Sequence, residues 1–335
     1  MNEPVRGAPA YPGLAALPGV QQLERFLAGE TPAPPVARLT GRRIVAAGHR
    51  IATYALPATP WMLGPKGLVH AGVLAMLGDG ALVAAVVSGL PPRTLCTTAE
   101  LSMTFLATPA HGGGDVLAYG RLVHLDEQMG LAEVFVADDS GELVAHGTSR
   151  CSVFPPIDKA IELVPPPADG QGPATAAPDP YLRPVPETRR WRPPPQADGI
   201  SWLRARLDGD APPPAIDELT GIRLTSAEPG RVVFAMPAHP WLSNEWGTVY
   251  GGMTALLAKS ATAAAVQSTA PAGTAYTALD VKVNFLRAIP PDGRDLVATG
   301  TLLHRGRRLA IGTAEVMHGG VRVAVATGTT ALTPA

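Results

Sequence analysis

Apolar and polar positions alternate in several short stretches of the first half of the chain, which is the pattern of half-buried strands. The predicted strands are 42–47, 51–56, 97–106, 115–125, 131–137 and 143–154. Residues 69–87 are almost continuously apolar and lack proline, and Pro91 and Pro92 follow, so this segment is predicted to be one long, buried helix. A shorter helix is predicted over 19–27. One apolar helix wrapped by a curved antiparallel sheet would bury such a helix in an α+β fold.

The same order of segments returns 180 residues later in the chain. Residues 39–43 (LTGRR) align with 219–223 (LTGIR), and 55–61 (ALPATPW) align with 235–241 (AMPAHPW). The register holds without a gap until it slips by one residue at Gly147. Two long copies argue against a solenoid, which needs several short repeats. We therefore predict two copies of one domain that pair as an intramolecular pseudo-dimer.

Residues 155–198 separate the two copies and are crowded with Pro, Ala, Gly and Asp, including two triple-proline runs. This composition is typical of a partly extended linker. The predicted organisation is an N-terminal tail over 1–18, a first domain over 19–154, the linker over 155–198 and a second domain over 199–335.

Composition narrows the class of protein. Hydrophobic residues make up 46% of the 335 residues and charged residues 16%, which excludes a chain that is disordered throughout. A formal net charge of -1 argues against a general nucleic-acid binder. Cys96 and Cys151 lack the spacing of a disulfide framework or a thiolate metal site, and the N-terminus lacks a secretory pattern, so a cytoplasmic address is expected. His70 and Asp79 interrupt the apolar run 68–90, which argues against a membrane span.

A polar loop precedes the long apolar helix in both copies. In the second copy it reads Asn244-x-x-Gly247-x-x-Tyr250-Gly251-Gly252, and in the first it reads Gly67-x-x-His70-Ala71-Gly72. Asp79 follows in the first helix, and the strand 277–286 (TALDVKVNFL) follows the second. Together these motifs resemble the hotdog-fold thioesterases of the phenylacetate-degradation type, over both copies. The resemblance implies two tandem hotdog domains and the hydrolysis of an acyl thioester, held by coenzyme A or by a carrier protein.

The resemblance also implies the site residues. In that family one unit supplies the asparagine and a helix-start N–H for the thioester carbonyl and the water, and the other unit supplies the carboxylate. Carried over to this chain, Asp79 is the general base or nucleophile, Thr98 assists the water, and Asn244 and Gly251 handle the carbonyl. Tyr250 replaces a family histidine, so its hydroxyl could bind the carbonyl or its ring could line the acyl pocket. The free N–H groups and positive dipole end of a helix start suit a developing oxyanion.

Each copy has lost a different half of this motif. At the 180-residue offset Asp79 faces Lys259, and Asn244 faces Gly64. Residues 70 and 79 are half a turn apart on a helix, so they face different sites. The expected result is one complete site per chain, which joins the loop of the second copy to Asp79 of the first. The other combination lacks both the asparagine and the acid.

Four arginines of the second copy have no basic counterpart in the first and are candidate contacts for the phosphates of coenzyme A. They are Arg287, Arg305, Arg307 and Arg308. Exposed strand-end arginines are an equally good interpretation of this set. Thr97 stays an alternative to Thr98 beside the water.

The expected partner is a small acyl thioester, with no nucleic acid or membrane partner. No metal and no cofactor are expected beyond coenzyme A as part of the substrate, and a homodimer of pseudo-dimers stays open. Two other functions stay open. One is an inert acyl-thioester binding or regulatory protein, because one of the two sites has lost its motif residues, and the other is a hotdog hydratase or cyclase.

Overall fold

The computed structural model describes residues 3–64, 67–109, 114–158, 161, 177–185 and 197–334. The first copy contains α1 (Gly19–Leu27), α2 (Pro35–Thr40), β1 (Arg43–Gly48), β2 (Ile51–Pro57), α3 (Ala71–Val87), β3 (Cys96–Phe105), β4 (Asp115–Leu125), β5 (Met129–Ala137) and β6 (Leu143–Val153). The second contains α4 (Gly199–Leu207), α5 (Ala215–Thr220), β7 (Arg223–Glu228), β8 (Arg231–Pro237), α6 (Gly251–Gln267), β9 (Thr274–Ala278), β10 (Asp280–Phe285), β11 (Asp295–Arg305), β12 (Leu309–His318) and β13 (Val321–Pro334). The 180-residue repeat of the sequence is therefore a repeat of structure.

The strands form one antiparallel sheet that runs through both copies. Its order is β1-β2-β4-β5-β6-β3-β10-β13-β12-β11-β8-β7, and β9 pairs with β13. The two copies join where β3 pairs with β10, with Leu101 opposite Val283. The sheet bends around α3 and α6, whose side chains form the core with the inner faces of the strands. This arrangement confirms the predicted pair of hotdog domains.

Helices α3 and α6 pack closely because glycine replaces a side chain where they meet. A methyl group on Gly252 would lie 2.8 Å from the Cα atom of Met76, and one on Gly72 would lie 2.6 Å from Cδ1 of Leu256. The first contact is with backbone and would push the helices apart, whereas the second would displace the Leu256 side chain. The close approach places the start of each helix beside the middle of the other, and the site depends on this crossing.

A β-bulge lies in β3 between Thr98 and Glu100. At the corresponding place in the second copy, Leu279 divides the strand into β9 and β10. Bulges re-aim the side chains next to them and are common beside functional sites. The irregularity of β3 therefore falls at one of the predicted site residues.

The sequence pattern predicts most element bounds to within two residues. Helix α3 starts at residue 71 rather than 69 because His70 caps it, with Nδ1 accepting the Gly72 N–H at 3.2 Å. Helix α2 is not predicted. It begins at Pro35, whose ring fixes the first helical φ, and ends at Gly41 with φ of 80°.

The predicted N-terminal tail is packed against both copies over its described residues. Leu14 is fully buried, and the Ala10 N–H donates to the Glu245 carbonyl at 2.8 Å. In the predicted linker, residues 159–160, 162–176 and 186–196 lie outside the described part. Where the linker is described, the Arg183 carbonyl accepts the indole N–H of Trp61 at 2.7 Å. None of the described helices has the length and apolar character needed to cross a bilayer.

Candidate active site

Asp79 lies in the middle of α3 and is 1% exposed. Thr98 Oγ1 donates to its Oδ1 at 3.2 Å, and the backbone N–H of Gly252 lowers the pKa of the carboxyl group. A methyl group on Gly251 would lie 3.1 Å from Oδ2, so glycine keeps the space beside that oxygen free. The crossing of α3 and α6 thus brings the acid of the first copy to the helix start of the second.

The environment of Asp79 makes it a stronger base than an ordinary aspartate. Burial raises the pKa of Asp79 to about 6, while the Thr98 hydrogen bond and the charge of Arg42 limit the rise. Such a carboxylate is still ionised at neutral pH. A pKa close to the working pH favours proton transfer in the transition state.

A cavity of about 720 Å³ opens beside this carboxylate between the two copies. All five predicted catalytic residues line it, namely Asp79, Thr98, Asn244, Tyr250 and Gly251, and so does Thr97. One wall is apolar and is formed by side chains of α1, of α3 and of the segment after β6: Leu23, Phe26, Val83, Val87 and Phe154. The cavity therefore combines a buried acid, a helix start and an apolar surface.

Asn244 shapes the loop before α6 through one end of its amide. Its Oδ1 accepts the N–H groups of Trp246 and Thr248 at 2.9 Å and 3.1 Å, and the Thr248 hydroxyl at 3.3 Å. The oxygen is committed to an Asx-type turn, which is a common structural role of asparagine. The Nδ2 amino group is what Asn244 can offer a bound carbonyl or water.

The Tyr250 hydroxyl is also committed, because it donates to the Met76 carbonyl on α3 at 2.5 Å. This bond favours the second of the two roles weighed for Tyr250, in which the ring lines the cavity. Burial raises the pKa of Tyr250 well above its ordinary value, and the nearby Asp79 raises it further, so the phenol stays protonated.

Three cavity residues were not predicted from the sequence. Arg42 is 2% exposed and pairs with Glu245 across the two copies, with Nη2 to Oε1 at 2.7 Å. Thr254 is 1% exposed, and its hydroxyl has no hydrogen-bond partner among the described residues. At the 180-residue offset, Ile222 stands for Arg42 and Leu74 for Thr254. Each position is polar in one copy and apolar in the other, and this difference is the sequence signal that could have found them.

The structure separates the four arginines considered for coenzyme A. Arg287 lines the cavity. Arg305 donates to the Thr269 carbonyl, just past the end of α6, whereas the cavity lies at the start of that helix. Arg307 and Arg308 lie in the turn between β11 and β12 and are not among the residues that line the cavity. Of the four, the geometry favours Arg287 for contact with a ligand in this cavity.

The second combination of halves has a different chemistry. Lys259 is 8% exposed, and its Nζ lies 3.3 Å from Nε2 of His70 at the start of α3. Burial and the charge of Lys259 lower the pKa of His70 well below its ordinary value, so the ring is neutral. Nearby, Arg206 and Asp217 form a buried pair at 2.8 Å. A cation thus stands where the first combination has its carboxylate.

Comparison with known proteins finds thioesterases for both copies. A family model described as the acyl-CoA thioesterase C-terminal domain matches residues 4–152, and one described as the thioesterase superfamily matches residues 247–325. Human acyl-coenzyme A thioesterase 13 is 28% identical over 107 residues, which cover 32% of this chain and 75% of that protein.

Solved structures match the whole tandem arrangement. Acyl-CoA thioesterase II TesB2 from Mycobacterium marinum is 12% identical with a TM-score of 0.52, over 90% of this chain and 97% of that one. A hot dog fold protein from Alicyclobacillus acidocaldarius is 15% identical with a TM-score of 0.54, over 90% and 98% of the two chains. At these identities the likeness shows the shared fold alone. Together with the thioesterase matches in each copy, it identifies the chain as a tandem hotdog thioester hydrolase.

Proposed function

We propose that the chain hydrolyses acyl-CoA thioesters at one site per chain, which joins Asp79 and Thr98 of the first copy to the Asn244 loop and α6 start of the second. The observation that carries the proposal is the buried Asp79 carboxylate, held by Thr98 at 3.2 Å, beside Gly251 in a cavity of about 720 Å³. Coenzyme A is favoured as the carrier because the curated relative is named for it and Arg287 lines the cavity.

In the proposed reaction Asp79 acts as general base. The carboxylate accepts a proton from water as the water attacks the thioester carbonyl, and the thiolate of coenzyme A leaves. The amino group of Asn244 and the N–H groups at the start of α6 stabilise the oxyanion, since both present positive dipoles to it. Thr98 holds one carboxylate oxygen, so that the other faces the reacting atoms.

The cavity walls favour an uncharged, apolar acyl group. Leu23, Phe26, Val83 and Val87 form a continuous apolar surface between α1 and the second half of α3. A charged acyl group would lose its hydration there without a partner to replace it. We therefore expect aliphatic or aryl acyl groups to be preferred over acyl groups that end in a carboxylate.

A screen for free-thiol release tests this proposal. Acyl-CoA thioesters of increasing length, aryl acyl-CoA thioesters and an acylated carrier protein are incubated with the wild-type chain and with Asp79→Asn. The expected result is thiol release from at least one acyl-CoA by the wild type and its loss in the variant. Tight binding of the thioester without release would support the inert binding protein instead. Consumption of an enoyl thioester without release of thiol would support the hydratase.

A further inference from the structure

Arg42 connects parts of the site that belong to different copies. It precedes β1 in the first copy, and its guanidinium bonds to Glu245 of the second copy at 2.7 Å. The same guanidinium lies 4.2 Å from the ring centre of Tyr250 and 5.4 Å from that of Tyr54. An arginine is suited to this place because its planar group stacks on aromatic rings while its N–H groups bind a carboxylate.

These contacts hold both ends of the loop that leads into α6. Glu245 follows Asn244 directly, and Tyr250 precedes Gly251 directly. The hydrogen bonds of Asn244 Oδ1 fix the internal shape of this loop, but they do not fix its place relative to α3. The hydrogen bond from the Tyr250 hydroxyl to the Met76 carbonyl connects the end of the loop to α3, and Arg42 connects its beginning, at Glu245, to the first copy.

Arg42 also touches the helix that carries the acid. A methyl group on Gly80, the residue after Asp79, would lie 3.0 Å from Nη1 of Arg42 and 3.1 Å from the Tyr250 hydroxyl. The three groups therefore pack tightly beside Asp79. In the other combination of halves the corresponding positions are Ile222 and Ser260, which cannot form this assembly.

We infer that Arg42 is a positioning residue of the thioester hydrolase: it fixes the loop with Asn244 and the start of α6 against the helix with Asp79. This inference rests on the proposed function of that site. Arg42 does not need to touch the substrate. It acts through Glu245 and Tyr250, whose places set the distance between the base and the groups that stabilise the oxyanion.

The charges around Asp79 give a signature that a merely structural role would not give. Arg42 lowers the pKa of Asp79, and Glu245 raises it. Two neutral groups also lie near the carboxylate: burial and then Asp79 raise the pKa of Tyr250, and the neighbouring Cys96, burial and Asp79 raise the pKa of Cys151, so both stay protonated. The thiol of Cys96 lines the same cavity. Removing Arg42 and removing Glu245 should therefore move the acid limb of the pH profile in opposite directions.

The experiment measures kcat, KM and the pH profile of Glu245→Gln, Arg42→Gln and Arg42→Lys. We expect kcat to fall by about 10- to 100-fold in each, because small misplacements of catalytic groups have effects of this size, while KM stays close to wild type. The acid limb should shift to higher pH in Arg42→Gln and to lower pH in Glu245→Gln. Arg42→Lys should keep the wild-type acid limb and still lose kcat, because lysine supplies the charge without the planar fork.

Two controls separate positioning from loss of stability. Arg43→Gln changes the neighbouring, exposed arginine, which pairs with Asp115 at the sheet edge, and should leave kcat unchanged. Asp217→Asn breaks the buried pair with Arg206 in the other combination of halves, and should lower Tm without lowering kcat per folded molecule.

Glu245 is 21% exposed at its side chain, and the amide oxygen of Glu245→Gln can still accept a hydrogen bond from Arg42, so we expect this variant to fold even if Arg42→Gln does not. Wild-type kcat and an unmoved acid limb in Glu245→Gln, with Asp79→Asn inactive, would overturn the positioning role and leave the proposed function standing. Full activity in Asp79→Asn would overturn the proposed function, and the positioning role with it.

Discussion

At one crossing of the two long helices a carboxylate faces the start of α6, whereas at the other crossing an ammonium group faces the start of α3. At the first crossing Thr98 Oγ1 donates to the Asp79 carboxylate at 3.2 Å. At the second, Lys259 Nζ lies 3.3 Å from Nε2 of His70. The two helices, the glycine at their contact (Gly72 and Gly252) and the surrounding strands are repeated at both places. The backbone is thus common to both crossings, and the difference in chemistry lies in a few side chains.

Both crossings also contain a buried guanidinium over the same strand position. Arg42 lies 5.4 Å from the ring centre of Tyr54, and Arg206 lies 5.9 Å from that of Phe234, its counterpart. The carboxylate partners differ, because Glu245 comes from the opposite copy and Asp217 from the same copy as Arg206. The pair that links the copies occurs where the acid and the asparagine meet.

The largest difference between the crossings should appear when each central residue is neutralised. Asp79→Asn should lower kcat by about 10²- to 10⁴-fold, the usual contribution of a general base. Lys259→Met should leave kcat near wild type, because no reaction is expected at that crossing. Thiol release per folded molecule, with folding checked by circular dichroism, measures both. Comparable losses in the two variants would contradict the assignment of one working site.

The asparagine loop provides the next largest difference. Asn244→Ala should lower kcat by about 10²- to 10³-fold if its amino group stabilises the oxyanion. Gly64→Ala, the corresponding change at the other crossing, should leave kcat near wild type.

Asn244→Asp is the sharper control for this prediction. Aspartate keeps the oxygen that accepts the Trp246 and Thr248 N–H groups but removes the amino group. We expect it to be as inactive as the alanine variant. An active, stable Asn244→Asp chain would show that Asn244 only shapes the turn.

The number of ligand molecules bound per chain distinguishes one site from two. A non-hydrolysable thioester analogue should saturate at one equivalent per chain by calorimetry.

Mixing Asp79→Asn chains with Asn244→Ala chains should not restore activity, because the two copies that supply the halves of the site are joined in one chain by a continuous sheet. Recovery of activity on mixing would show that halves are exchanged between chains.

The smallest expected effect concerns pH. Because the pKa of Asp79 is raised to about 6, kcat/KM should fall as the pH drops through that value and the base becomes protonated. Thr98→Val removes a hydrogen bond to the ionised form, so the acid limb should move to higher pH with a modest loss of kcat. A profile without a limb near pH 6 would exclude Asp79 as the titrating base.

Ionisation of Asp79 should also change the stability of the fold. Activity should rise with pH through this ionisation, whereas stability should fall. The folded protein holds the Asp79 proton more tightly than the unfolded chain does, so ionisation of Asp79 lowers stability as the pH rises through about 4 to 6. Asp79→Asn should therefore raise Tm more at neutral pH than at pH 4.

The internal repeat makes the two domains and the combination of their halves predictable from the sequence. Sliding the chain over itself predicts the two domains, and the complementary losses at Asp79 and Asn244 predict which halves combine. The same comparison could have found Arg42 and Glu245, since they face Ile222 and Pro65 and a charged pair exists in one combination only. Arg42 is the one position at which segment 39–43 differs from segment 219–223.

Other features depend on distances that no local pattern contains. The bond of the Tyr250 hydroxyl to Met76 requires the helix separation that Gly252 permits. The placement of Arg305 beyond the end of α6 follows from the direction of β11 relative to that helix. Strand alternation predicts β11 but not where its end lies relative to the cavity.

The pairing of β3 with β10 inside one chain changes how such an enzyme can vary. In a homodimer of single hotdog units, one gene encodes both halves, so a lysine at the acid position would enter both crossings and remove both bases. Here each half has its own coding sequence, and a lysine, Lys259, occupies the acid position of one crossing only. The second crossing instead carries Lys259 beside His70 and the buried pair of Arg206 and Asp217, so its polar side chains bond to one another.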